Sequence, residues 1–318
     1  MRLKVIIRYV FLVITVVFIG YLFSDNLGKL KVLLEISIPN FVVLSILALA
    51  TFVANGIKNV LLLRPFKVRL RFTEWFGLSV VNSFWNYLPF QGGLVAKGMY
   101  LKRQHQFAYT EYASTVSASY LITFFTFGLV GCAGLALAYF MNHALVFMPV
   151  LIYTVLAVVP LIAVIIISRG ESWCKRFPRL ARFFSGARII FKDKKTVTSL
   201  VLLDVGMLAV YVARLALCFS ATGLHVDFYF IILVTPIALL SIFFTITPGG
   251  LVVREALIGL FAFWYSLNVG DIVVASLLDR AVLMVWVFGL GLVFNYFLSR
   301  RVFGDQRPPD PPADRLDS

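Results

Sequence analysis

The sequence predicts an all-α polytopic membrane protein, with six full spans and two re-entrant broken-helix segments in an inverted repeat. Three observations carry this. Hydrophobic residues make up 61% of the 318-residue chain and charged residues 14%, against roughly 45–50% and about 25% in soluble domains. Several apolar runs reach the ~20 residues a helix needs to cross the hydrocarbon layer, and mean hydropathy is +0.93. Two of the long apolar regions are interrupted at mid-length by a proline and a Gly-Gly pair.

In chain order, the first run covers residues 5–23. Arg8 interrupts it and no small-residue cleavage site follows, so a retained span is expected rather than a signal peptide. Further full-length runs lie at 39–63, 111–140, 144–168, 199–222 and 271–298. Regions 74–101 and 228–265 are apolar but broken, by Pro89 through Gly93 and by Pro248 through Gly250. Proline removes a backbone donor and clashes with the preceding turn, and a glycine pair permits non-helical dihedrals. Each region therefore reads as two half-helices joined by a bend. Residues 169–198 are not a span: Trp173, Phe177, Leu180, Phe184, Ala187 and Phe191 recur at steps of four and three, with Arg176, Arg179, Arg182 and Arg188 between them. That pattern suits an amphipathic linker helix at the cytoplasmic interface, with Pro178 in its first turn; an ordinary basic loop is the alternative. The tail, 300–318, is Pro-rich and polar, the composition of a disordered cytoplasmic segment.

Charge orients the chain. The net +14 belongs to membrane topology and anionic lipid rather than to nucleic acid. If both broken segments return to the side they came from, Arg64, Lys67, Arg69, Arg71, Lys102, Arg103 and the nine cations of 169–195 are all cytoplasmic, as are both termini. Only Lys29 and Lys31 then face outside. If each broken segment crosses once, the nine-cation loop lies outside, against the positive-inside tendency. The expectation is thus a transmembrane domain over 1–299 in a plasma (inner) membrane, with halves at about 39–140 and 199–298 running in opposite senses. The halves share Gly92-Gly93-Leu94-Val95 and Gly249-Gly250-Leu251-Val252, each with a cation, Lys97 or Arg254, five residues after its first glycine. At the same offset of 157, Val116, Ala118 and Ser119 match Val273, Ala275 and Ser276, and Lys58 matches Arg214 within one residue.

Five cations, Lys58, Lys97, Arg214, Arg254 and Arg280, fall inside apolar segments. Each costs roughly 2.5–3.5 kcal/mol near a helix centre, so together on the order of 15 kcal/mol if uncompensated. Acids are fewer: Glu255 and Asp279, with Glu74, Glu111, Asp204 and Asp271 nearer segment ends. Half-helices starting at Leu94 and Leu251 would aim unpaired N–H groups at an anion. Lys97, Arg254 and the Gly92, Gly93, Gly249 and Gly250 turns are the expected phosphate-binding elements, with Asn86, Lys58 and Arg214 as further candidates. A cation so placed can also snorkel or tie helices together, the competing reading for Lys58 above all. Sequence neighbours do not face one another on a helix, so Arg254 is expected to meet Asp279 while Glu255 meets Arg280, as a structural clamp or a gate. Asn82 and Asn86, one turn apart, could line the cavity or bond between helices. Enzyme signatures are missing, and Cys132, Cys174 and Cys218 show no metal-ligand or disulfide pattern, so no catalytic residue, metal or cofactor is expected.

At these motifs a family resemblance stands out. Asn86-x-x-Pro89-x-x-Gly92-Gly93-x-x-x-Lys97 resembles the first signature of the lysylphosphatidylglycerol synthase transmembrane-region family, also called flippase-like integral membrane proteins. Thr247-Pro248-Gly249-Gly250-Leu251-Val252-Val253-Arg254-Glu255-Ala256, with Ala275-Ser276-Leu277-Leu278-Asp279-Arg280, resembles the second. The resemblance implies a domain that moves aminoacylated phosphatidylglycerol between leaflets, as in the multiple peptide resistance factor proteins. Those proteins also carry a soluble aminoacyl-transferase domain, which the short polar tail here does not suggest. Two departures stand in the first half: Ile122-Thr123 replace an acid–Arg pair, and Lys97 stands where Arg is usual. The expected function is translocation of an anionic phospholipid or lipid-linked glycan headgroup by a passive or ion-coupled carrier, with a homo-oligomer left open. The alternative is a membrane accessory protein of envelope lipid or glycan synthesis that transports nothing. An intramembrane transferase using Glu255 or Asp279 as base is a third reading, with no sugar-nucleotide motif behind it.

Overall fold

The computed structural model describes residues 36–87, 92–143, 145–169, 178–243 and 252–304. The described chain is helical, without strands. Its helices are α1 (Ile38–Leu63), α2 (Phe72–Asn86), α3 (Gly92–His105), α4 (Tyr109–Phe140), α5 (Phe147–Arg169), α6 (Pro178–Lys192), α7 (Lys194–Ala221), α8 (Phe228–Leu240), α9 (Val253–Trp264) and α10 (Val269–Gly304), with 3-10 turns at Arg64–Phe66 and Ser241–Phe243. Five are long and apolar enough to cross a membrane: α1, α4, α5, α7 and α10. These correspond to five of the six expected spans; the sixth, 5–23, lies outside the described residues, as do the tail beyond 304 and the turns containing Pro89 and Pro248.

Both broken regions are split into two helices, α2–α3 and α8–α9. In each pair the second helix packs back along the first. Tyr100 near the end of α3 donates to Glu74 near the start of α2 at 2.8 Å. Tyr265 after α9 lies 6.0 Å, ring to ring, from Tyr229 at the start of α8. The Gly93 position explains the tight first hairpin, since a Cβ there would collide with the Asn82 carbonyl and sit 2.6 Å from Asn86 Oδ1. In the second pair, α8 has no charged residue and is buried from Tyr229 to Leu240 except at the half-buried Ile232, which is how a helix without a polar face must sit.

The two ends of the bundle differ. Leu63, Phe66, Val68, Leu70, Leu101, Phe107 and Leu298 cluster together, so the basic 64–71 loop, the end of α3 and the end of α10 share one end. Leu62, Ala187, Ile190 and Leu200 bring α6 and the start of α7 to that same end. Phe219, Leu224, Tyr229, Leu267 and Ala138 gather the ends of α4, α7 and α9 with the starts of α8 and α10 at the other.

Helix α6 begins at Pro178, and its stripe packs on protein: Ala187 and Ile190 are buried, and Gly186 lies against Ser114 of α4. Trp173 and Phe177, expected on the same stripe, lie outside the described residues. Helix α5 is mostly exposed, with Met148, Leu151, Val155, Val159, Ile162 and Ile166 outward. It is fastened to α4 where Gly128 meets the Ala157 backbone and Gly131 meets the Tyr153 ring, small residues permitting close approach in a membrane.

Candidate functional site

Eight helices border a cavity of about 280 Å³, α8 through Ala238 and Leu239. From α1 come Asn55, Lys58 and Asn59; from α2, Asn82, Asn86 and Tyr87; from α3, Lys97; from α4, Tyr112 and Thr123; from α7, Asp204 and Tyr211; from α9, Arg254; from α10, Asp279 and Arg280. Four of the five expected membrane cations therefore line one space.

Two buried ion-pair systems border it. In the first, Asp279 lies between two guanidiniums: Arg214 Nε donates to Oδ1 and Arg254 Nη2 to Oδ2, each at 2.7 Å. Asp279 and Arg214 are each 1% exposed. Arg280 Nη1 donates to Glu255 Oε2 at 3.2 Å. The geometry is thus the crossed one, Arg254 to Asp279 and Arg280 to Glu255. Glu255 Oε2 also accepts from the Val252 N–H at 3.1 Å, capping α9. This moves the helix start from the expected Leu251 to Val253, and the chain's own carboxylate takes an N-terminal donor that was expected to face an anion. Val252 itself has φ 74°, a left-handed conformation that a β-branched residue rarely adopts.

In the second system, Lys58 Nζ donates to Asp204 Oδ1 at 2.6 Å and to Thr123 Oγ1 at 2.7 Å. Thr123 in turn donates to Asp204 Oδ2 at 3.0 Å. Lys97 is different. Its Nζ donates to Asn59 Oδ1 and sits 5.9 Å from the centre of the Tyr112 ring, a cation–π distance. No carboxylate among the described residues pairs with it. At the offset of 157 that separates the two Gly-Gly strings, Asp279 is matched by Ile122, which has no carboxylate. Lys58 finds Asp204 on α7 instead, and Lys97 finds only a neutral amide.

The expected site residues divide accordingly. Lys58, Lys97, Asn86, Arg254, Asp279 and Arg280 line the cavity. Gly93 allows α3 to start against α2, and Gly92 opens that helix beside Trp85. Arg214 is not among the lining residues; it pairs with Asp279 and lies 5.0 Å from the centre of the Tyr211 ring. Gly249 and Gly250 lie outside the described residues. Asn59, Thr123 and Asp204 were not among the expected site residues. The repeated Asn-x-x-x-Asn spacing, Asn55/Asn59 beside Asn82/Asn86, was the available signal for the first.

Asp204, Asp279 and Glu255 face five cations, leaving an excess of two positive charges around the cavity among the described residues. Arg254 Nε has no hydrogen-bond partner. An anion seated here would meet donors already oriented in a low-dielectric surround.

Searches of curated proteins and of solved structures find no match. Residues 5–291 do match a family, covering every residue that lines the cavity, and the chain accordingly belongs to the lysylphosphatidylglycerol synthase TM region family.

Proposed function

We propose that this membrane protein carries an anionic lipid headgroup between leaflets. The observation that supports it above others is Lys97: a cation among apolar helices, lining a cavity, without a carboxylate partner among the described residues. An unpaired membrane cation is costly, and the cost is offset whenever an anion occupies the cavity. Arg254 is the second binding group, lining the cavity and held by Asp279. The family name speaks of lysylphosphatidylglycerol, a membrane lipid, which agrees with a lipid cargo.

In this reading α2–α3 and α8–α9 are re-entrant hairpins entering from opposite sides. The packing supports it: α2 packs on α10 as α8 packs on α4, α1 meets α10 as α7 meets α4, and α1 and α7 pack on each other. Such reciprocal contacts are what two halves related by a two-fold axis produce. The basic 64–71 loop and the end of α3 lie at one end, which we place in the cytoplasm with both termini. Alternating access then rocks one half against the other around the cavity, and no bond of the cargo is broken.

The test is a leaflet-accessibility assay in proteoliposomes of fluorescent anionic phospholipid. Lys97→Gln with Arg254→Gln is expected to reduce translocation at least tenfold; undiminished rates in that variant would refute the reading. A purely structural role for the buried charges draws support from the ion pairs of Arg280 with Glu255 and Arg254 with Asp279. It expects Lys97→Gln alone to be silent in the same assay.

A further inference from the structure

The matched cavity cations of the two halves differ in two ways at once. Arg254 has a carboxylate, Asp279 Oδ2, at 2.7 Å. Lys97, its match at the offset of 157, has none among the described residues. The side chains also differ in kind. A guanidinium keeps its charge at any pH a protein meets, whereas an ammonium becomes neutral by giving up one proton. The permanent cation is thus the one with a permanent counter-ion, and the cation without an acid is the one that can be discharged.

The surroundings of Lys97 accept both forms. Asn59 Oδ1, on α1, is a neutral acceptor, and an amine that has lost its proton still has N–H groups to donate to it. The Tyr112 ring of α4, 5.9 Å away, adds a modest preference for the cation, while the Tyr112 hydroxyl donates to the Leu94 carbonyl at 3.0 Å. The other charged groups nearby are held in pairs. Lys58, next to Asn59, is bound by Asp204 of α7 at 2.6 Å. On α2 the lining groups are hydroxyls and amides, Ser79 to Tyr87, and Glu74 lies at the far end with Tyr100 and His105. On α10, Asp279 is taken by Arg214 and Arg254, and Arg280 by Glu255. Among the described residues, Lys97 is therefore the lining cation that can change its charge without breaking an ion pair. An anion seated beside it would fix that charge, as Asp279 does for Arg254.

We infer that Lys97 is a proton-binding site linked to the cargo: the anion and one proton are taken up together and released together. Resting on the anion-carrier reading, this adds a second ion to what the cavity binds. The proton comes from solvent, joins the lone pair of Nζ when the anion arrives, and returns to solvent when it leaves. Where the pH keeps Lys97 protonated, the empty cavity holds its charge. Where it does not, the arriving anion brings the proton with it, so affinity falls as pH rises and proton uptake grows.

Titration calorimetry of the purified protein in detergent, run in two buffers of different ionisation enthalpy, counts these protons over a series from about pH 6 to about pH 10. The probe is dihexanoyl-phosphatidylglycerol, a phosphodiester whose own charge is constant over that series. Wild-type affinity is expected to fall roughly tenfold or more across it, with uptake approaching about one proton per anion. In Lys97→Arg the affinity itself can shift, but its fall with pH and the proton uptake should both vanish. Asn59→Asp puts a carboxylate at the atom that Lys97 already touches, so it should hold the ammonium charged and abolish the uptake too. That variant serves if Lys97→Arg does not fold. Wild-type binding without proton uptake anywhere in the series overturns the inference, as does uptake that persists in either variant. Proton uptake without movement of labelled phosphatidylglycerol between leaflets of proteoliposomes would sustain the proton site and sink the carrier reading. Leaflet movement without uptake would do the reverse, so the two fail separately.

Discussion

Asp279 holds two guanidiniums at once, and nothing nearby replaces it. In Asp279→Asn, Arg214 and Arg254 would face each other across a neutral amide at 1% exposure. Breaking a buried pair by removing one partner costs about 3–5 kcal/mol, so a large fall in the thermal midpoint in detergent is expected. An unchanged midpoint would show that the clamp does not hold α7, α9 and α10 together. Lys97→Gln is expected to behave oppositely, with unchanged or raised stability, because it removes a cation that has only an amide and a ring for company. The crossed pairs of Arg254-Glu255 with Asp279-Arg280 were legible in the sequence, since adjacent residues on a helix point apart and each charge had one suitable mate. The partner of Lys58 was not. Asp204 lies close to the start of the apolar run at 199, but α7 begins at Lys194, so it sits deeper than hydropathy suggests. Which face of α7 meets α1 is a matter of packing that no spacing encodes.

Among the elements, the broken segments depend on close helix approach. Gly93→Leu is expected to separate α3 from α2, because its side chain would run into the Asn82 carbonyl and the Asn86 amide. Strongly reduced folded yield, read by monodispersity after detergent extraction, is the outcome. A monodisperse product binding phosphate as before would refute this account of the hairpin. Proline and glycine made both breaks legible, whereas the exact start of α9 was not. It depends on Glu255 reaching back to the Val252 N–H, a capping choice that competes with ligand binding at the same terminus. The stripe on α6 had the right periodicity, but periodicity names an apolar face without naming what covers it. Here Ala187 and Gly186 let α6 settle against α4.

For the molecule as a whole, the two hairpins close at opposite ends: Glu74 with Tyr100 at the basic end, Tyr229 with Tyr265 at the other. Cysteine labelling reads this directly once Cys132, Cys174 and Cys218 are replaced. Thr110→Cys and Asn268→Cys, both exposed positions, should react with a membrane-impermeant maleimide from opposite sides of sealed vesicles. Labelling from one side would refute the opposed arrangement. Hydropathy was enough to anticipate the five long apolar helices among the described residues, because it reflects the membrane rather than side-chain detail; the orientation expected from loop charge is what the labelling tests.

Where the two halves part company, at Ile122 against Asp279, a kinetic consequence follows. With no acid there, Lys97 keeps a positive charge that the empty cavity does not neutralise. Rearranging an empty cavity would carry that charge through the apolar centre, whereas a loaded one is compensated. The protein should therefore return loaded and work as an exchanger: labelled lipid in one leaflet should move several-fold faster when unlabelled lipid of the same headgroup fills the opposite leaflet. Lys97→Gln should remove that acceleration together with the tight binding. A rate independent of the opposite leaflet would mean that the cavity resets without its anion.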